Sequence, residues 1–324
     1  MKRIFIFTFL FALLSPVYLF SQATRVKLNV NYPAIGGLIT GLWVAADGKI
    51  LEKYGLEVKP VYIPGAALAV RAVLAGEVTI GFGGGKPVVD ANLAGADLVI
   101  IGGVANVPAF YFMALPEIQT IGELKGKTVG VTRFGASTDF TMRYLLRNAN
   151  IDAEREVNIL QLGGMPELAA AISKRLIAAA PFTPPTNLWA KKAGAKVLLN
   201  VAEAGVHFPH VCIFTRRSYL RSNRETVLNF LKGYSEGLRR MVTDKAFAKA
   251  VIQKYNREKD QEILEATYQY GLDYIVRPPY PTREGIVEIL RQSEHPKARA
   301  ARPDDFLDLS LLKTLEEAGF FSRK

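Results

Sequence analysis

Val129-Gly130-Val131-Thr132-Arg133-Phe134-Gly135-Ala136-Ser137-Thr138 carries a short apolar run into a turn of small residues and out again into a helical pattern. The same grammar stands in Tyr62-Ile63-Pro64-Gly65-Ala66-Ala67 and in Ile80-Gly81-Phe82-Gly83-Gly84-Gly85. A strand that feeds a helix through such a turn aims backbone N–H groups and the positive end of the helix dipole at one spot. Parallel-sheet proteins hold small, often anionic, ligands this way. Three such turns predict a chain built to bind something small.

Working outward, the pattern alternates strand and helix. Strands are expected at Val26 to Asn31, Glu57 to Ile63, Val78 to Phe82 and Leu98 to Gly103, with helices at Ile35 to Lys53, Ala66 to Leu74 and Val88 to Leu93. After an extended run from Ala109 to Leu115 the alternation restarts. Strands are then expected at Lys127 to Thr132, Val157 to Gln161, Leu176 to Ala180 and Lys196 to Val201, and helices at Thr138 to Arg147, Pro166 to Ser173 and Pro184 to Ala193. A second extended run, Val211 to Thr215, is followed by a nearly all-helical tail from Ser222. This is βαβ grammar, and it implies parallel sheets. The two extended runs read as crossings between two lobes.

Met1-Lys2-Arg3 followed by the apolar run Ile4 to Phe20 and the small residues Ser21 and Ala23 reads as a signal peptide cleaved after Ala23. The expected divisions are residues 1–23 for the signal, 24–113 with 214–324 for a discontinuous first lobe, and 114–213 for a second lobe inserted in it. The sole cysteine, Cys212, leaves no lipid-attachment site after the signal and no disulfide within the chain. A freely soluble periplasmic protein is expected. The net charge of +11 is spread among acids, as in Arg221 to Lys232, without the basic clusters and interleaved aromatics of a nucleic-acid face.

Gly48-Lys49-Ile50-Leu51-Glu52-Lys53-Tyr54-Gly55-Leu56-Glu57-Val58 resembles the helix, glycine-leucine, strand signature of nitrate/sulfonate/taurine-type solute-binding proteins, a group that includes thiamine-precursor binders. Leu74-Ala75-Gly76-Glu77-Val78, Gly95-Ala96-Asp97-Leu98-Val99, Glu123 to Val131 and Ala193 to Leu198 match in order and spacing, over about Val26 to Leu238. The resemblance implies a two-lobed, type-2 periplasmic-binding-protein fold that serves an ABC importer. A monomer would capture a small organic anion or a heteroaromatic nutrient between its lobes and hand it to a permease and its ATPase. No cofactor or metal is implied.

On that account Ile35, Gly36, Gly65, Ala66, Gly83, Gly84 and Gly85 line one wall of the cleft. Arg133, Gly135, Ser137 and Thr138 line the other, with Tyr32 and Phe182 as candidate aromatic contacts. Glycine and alanine let a ligand approach the backbone. Arg133 offers a bidentate fork to carboxylate or sulfonate, or else lies on the surface at a strand end. Ser137 and Thr138 either cap their helix or meet the ligand. Lys86 opposes its helix dipole, and so either faces water or meets an anion. Tyr111 and Phe112 could also furnish an aromatic wall.

The alternative is an enzyme on the same fold, since His207, His210 and Cys212 lie close in sequence and strand alternation would put His210 and Cys212 on one face. Their spacing matches no strong metal pattern. The Gly83-Gly84-Gly85-Lys86-Pro87 run is no nucleotide loop, because proline follows the lysine where Ser or Thr is required.

Overall fold

A computed structural model describes residues 25–322. The signal-peptide expectation therefore lies outside the described residues. Two five-stranded sheets organise the chain. The first is built from β1 (Val26–Tyr32), β2 (Leu56–Tyr62), β3 (Ile80–Gly83), β4 (Leu98–Ala105) and β10 (Val211–Arg216), in the order β2-β1-β3-β10-β4. The second uses β5 (Tyr111–Ala114), β6 (Thr128–Val131), β7 (Asn158–Gln161), β8 (Ala179–Phe182) and β9 (Lys196–Asn200), in the order β7-β6-β8-β5-β9.

The two sheets obey one rule. In the first, β1 pairs parallel with β2 and β3, while β10 runs antiparallel between β3 and β4. In the second, β6 pairs parallel with β7 and β8, and β5 runs antiparallel between β8 and β9. Each antiparallel strand is the one that arrives from the other sheet. The chain thus crosses before β5 and returns before β10, and the crossings are bonded to each other through Phe208 N–H to the Asn106 carbonyl, 2.9 Å.

Helices α1 (Thr40–Asp47), α2 (Ala66–Ala75) and α3 (Gly85–Leu93) link the strands of the first sheet. Helices α4 (Ser137–Asn148), α5 (Met165–Ser173) and α6 (Thr186–Lys192) do so in the second. The tail is α7 (Arg217–Ser222), α8 (Arg224–Thr243), α9 (Lys245–Asn256), α10 (Gln261–Tyr274), α11 (Arg283–Gln292) and α12 (Ser310–Glu317). Trp43, Phe82, Phe230 and Tyr234 anchor the core between the first sheet and α1 and α8, whereas Phe112, Val129, Met142 and Phe182 anchor a separate core around the second sheet.

Two helices differ from the sequence expectation. The single helix expected from Ile35 to Lys53 is broken into a 3-10 turn (Gly37–Ile39), α1 and a second 3-10 turn (Leu51–Tyr54), with Lys49 at φ 54° between them. The break falls where Gly48 caps α1, its N–H bonded to the Val44 carbonyl at 3.0 Å, and Lys49 takes the left-handed conformation, through which a right-handed helix cannot continue. The helix expected from Pro184 begins instead at Thr186, because neither Pro184 nor Pro185 has an N–H, and the Thr183 carbonyl is capped by the Thr186 hydroxyl (2.7 Å) and the Asn187 N–H (3.2 Å).

Candidate functional site

A cavity of about 70 Å3 lies where loops of the two sheets meet. From the first sheet come the turn Pro33 to Ile39, Gly65, Ala66 and Gly84; from the second come Thr132, Ala136, Ser137, Thr138, Gly164, Met165 and Thr183. Phe110, His210 and Val211 from the two crossings, and Tyr270 from α10, complete the wall. No Asp, Glu, Lys or Arg is among these lining residues.

The wall's donors are backbone amides. The first N–H groups of a helix have no intrahelical acceptor. Gly37 opens the 3-10 turn that runs into α1, Ala66 opens α2, Ser137 opens α4 and Met165 opens α5. All four residues line the cavity, and their N–H groups have no acceptor among the described residues. By contrast α3 spends its first amide, Gly85 N–H, on the Pro209 carbonyl at 2.8 Å. Four helix starts, two from each sheet, therefore present partial positive charge to one small volume.

The neighbouring side chains are mostly committed to the frame. Thr138 Oγ1 accepts from Thr132 N–H at 3.0 Å and lies 2.7 Å from Thr132 Oγ1. Ser137 Oγ donates to the His210 carbonyl at 3.2 Å, which ties α4 to the returning crossing. Neither residue caps its helix, since Ala136 holds the N-cap position without a side-chain bond. The Tyr270 hydroxyl donates to the Ala109 carbonyl. Thr183 Oγ1 has no partner among the described residues.

Of the residues singled out in the sequence, Ile35, Gly36, Gly65, Ala66, Gly84, Ser137 and Thr138 come together in this wall. The others stand elsewhere. Tyr32 ends β1 in an aromatic cluster with Trp43, Tyr62 and Tyr255, at ring-centroid distances of 5.3, 5.4 and 6.0 Å. Phe182 is fully buried in the second core, Gly83 lies within β3, and Gly85 is turned toward Pro209. Gly135 (φ 76°) opens on a separate groove with Lys86 and Arg143, where Lys86 pairs with Asp90. Arg133 sends its Nε–H to the Pro64 carbonyl at 3.3 Å and does not line the cavity. Tyr111 and Phe112 yield the aromatic position to their neighbour Phe110.

Cys212 and His210 do not form a reactive pair. Cys212 is buried in β10 with its Sγ–H directed to the Gly83 carbonyl at 3.3 Å, and burial pushes its thiol far above the usual range. His210 precedes the strand and faces the cavity. No group of three or more His, Cys, Asp or Glu side chains that could hold a metal ion occurs among the described residues. No described helix is long and apolar enough to cross a membrane.

A family model described as NMT1/THI5 like matches residues 38–246. The chain belongs to this family. The matched span runs from the 3-10 turn before α1 through the whole second sheet into α9, and it carries most of the cavity wall. YtlA of Bacillus subtilis, named as a binding protein, is 21% identical over 216 residues; the match covers 65% of each chain, just under two thirds of the relative's length. A Brachyspira hyodysenteriae protein named as an ABC transporter periplasmic binding protein is 23% identical over 269 residues, covering 75% of this chain and 72% of that one. In structure the chain resembles the alkanesulfonate-binding protein SsuA of Xanthomonas axonopodis pv. citri bound to MOPS, with a TM-score of 0.67 and 20% identity over 76% of this chain and 85% of the other. That likeness establishes the periplasmic-binding-protein fold, an α/β architecture of two helix-flanked sheets.

Proposed function

We propose that this chain is the extracytoplasmic solute-binding protein of an ABC importer and that its cavity takes a small organic anion, of which a short sulfonate is the type. The observation that carries the reading is the convergence of four unspent helix-start amides, two from each sheet, on a cavity without a charged side chain. Amide dipoles stabilise an anion, and no carboxylate opposes it. Ile35, Leu38, Phe110 and Met165 suit a short carbon body.

Closure follows from where the donors sit. A solute that accepts from Gly37 and Ala66 on one side and from Ser137 and Met165 on the other binds the closed arrangement better than an open one, so it shifts the population toward closure. The lobes would divide a few residues before the expected boundaries at 113/114 and 213/214, because β5 (Tyr111–Ala114) already belongs to the second sheet and β10 (Val211–Arg216) to the first. The closed, loaded monomer is the form a permease and its ATPase would engage. Export through a signal peptide removed after Ala23, without lipidation, places this capture in the periplasm. The solute leaves unchanged, since the raised thiol of Cys212 offers no nucleophile.

Calorimetry with methanesulfonate, nitrate and an aminopyrimidine, paired with solution scattering, tests the reading. Saturable binding of an anion with compaction is the expected result. Binding of the aminopyrimidine alone would replace the anion with a flat ring, and binding of none would remove the transport assignment.

A further inference from the structure

His210 is 6% exposed, ends the returning crossing and lines the cavity with its ring against Phe110, centroids 4.1 Å apart. The Ala109 N–H, shared with the Val107 carbonyl at 2.7 Å, donates to its Nδ1 at 3.1 Å, a bond between the two crossings. A ring nitrogen that accepts an N–H carries a lone pair, so the single proton of the neutral imidazole must sit on Nε2. Burial keeps the ring neutral by lowering its pKa to about 3. Nε2 has no partner among the described residues and is not sealed off in the core, so it is free to donate to a solute in the cavity that His210 lines. Tyr270 is the other titratable side chain in the wall, and burial holds its phenol protonated. Ser137, bonded to the His210 carbonyl from α4, brings no charge.

We propose that His210 is a specificity-determining contact of this cavity, donating its Nε2–H to an oxygen of the bound solute. The inference rests on the cavity being the solute site. A neutral donor of fixed tautomer demands an acceptor at that point and rejects a ligand that presents an N–H or a cation there. The same ring fastens the two crossings through Nδ1, so the solute bond acts on the segment about which the halves must move. The sequence pattern had paired His210 with Cys212; the fold instead separates their tasks.

Two substitutions divide the ring's roles. His210→Asn keeps an amide oxygen near the Nδ1 position for Ala109 and removes the Nε2 donor. His210→Gln puts an amide N–H near Nε2 and gives up the Ala109 bond. With methanesulfonate and nitrate as probes, His210→Asn should lose ten- to a hundredfold in affinity, as expected for one hydrogen bond to a charged acceptor. His210→Gln should stay within about fivefold despite a lower melting temperature. In the 15N-histidine-labelled wild type, the free protein should show the Nε2–H tautomer, and titration with the binding probe should move the Nε2 resonance. An Nδ1–H tautomer, an Nε2 signal indifferent to a bound probe, or loss of affinity in the Gln variant but not in Asn overturns the assignment and leaves the cavity reading standing. Failure of the wild type to bind either probe overturns both.

Discussion

Arg133 and Pro64 are joined across the two halves of the molecule: the guanidinium Nε–H in the turn after β6 donates to the carbonyl in the turn after β2, 3.3 Å away. The arginine stem crosses Gly65, where a Cβ would stand 3.0 Å from Arg133 Cδ and where φ is 83°. Glycine supplies both the backbone angle and the clearance. The residue that reads in sequence as an anion fork is thereby placed at the rim of the cavity as a tie between its walls. Trp189 Nε1–H to Glu258 (2.8 Å) and the Lys192–Asp260 ion pair make similar ties between α6 and the segment before α10.

Removal of the Arg133 tie should therefore tax closure and leave the ligand's own contacts intact. Arg133→Ala is expected to weaken methanesulfonate binding by roughly 1 kcal/mol, the net worth of one hydrogen bond. The ratio of variant to wild-type affinity should be the same in low and high salt. A hundredfold loss that salt abolishes would put the guanidinium on the anion.

Gly84 sets the clearance on the other side. A Cβ there would meet Ser137 Oγ at 2.5 Å, although φ of −66° is ordinary for alanine. Gly84→Ala should leave the melting temperature of the free protein nearly unchanged. Its cost falls on closure, about 1–3 kcal/mol of overpacking, read as weaker binding by calorimetry. Equal affinity with a depressed melting temperature would mean that the contact is not opened and closed.

The alternation of strands with helices and the helix-start turns are legible in the sequence for a physical reason. Buried parallel strands read as apolar runs, and the glycine turns that follow them are local. Ile35, Gly36, Gly65, Ala66, Gly84, Ser137 and Thr138 were found that way. Phe110, Met165, Thr183, His210 and Tyr270 were not, because each reaches the cavity from a different element and no local pattern records their meeting. The alternation rule failed at His210 since β10 begins only at Val211, so positions 210 and 212 do not share a strand face. The break at Gly48-Lys49 is not legible in the sequence because it turns on the left-handed conformation of a lysine, a residue type that does not signal one.

Acid should destabilise the protein before its carboxylates titrate. The His210 imidazole has a folded pKa of about 3 against about 6.5 when unfolded, so the unfolded chain binds a proton that the native one refuses. Its stability contribution is complete above pH 6.5 and is lost as pH falls toward 3. One such group removes roughly 1.5 kcal/mol between pH 6.5 and 5. Glu258 and Glu265, both lowered, act in the same direction only below about pH 4.5. Urea unfolding of wild type and His210→Asn at pH 7, 6 and 5 should show the two stabilities converging in acid; parallel curves would count against a neutral buried ring.

Intact mass of the secreted chain from a Gram-negative host should correspond to a start at Thr24. Ser21 and Ala23 supply the small residues read before cleavage. A mass that retains Met1 to Ala23 would indicate an uncleaved anchor.

Binder and enzyme part company at Cys212. The thiol is fully buried in β10, bonded to the Gly83 carbonyl and raised by desolvation, so its thiolate is scarce and its sulfur has no path to the cavity wall. Cys212→Ser should leave methanesulfonate affinity within a few-fold, with a modest loss of stability from placing a hydroxyl in an apolar strand. A nucleophile would behave in the opposite way, with binding kept and turnover abolished. Incubation of the wild type with its probe, followed by mass analysis of both solution and chain, decides the matter. The solute should be recovered intact and the chain unmodified; a product that forms with time and disappears in Cys212→Ser would make this fold a catalyst and transfer the role argued for helix-start amides from capture to transition-state stabilisation.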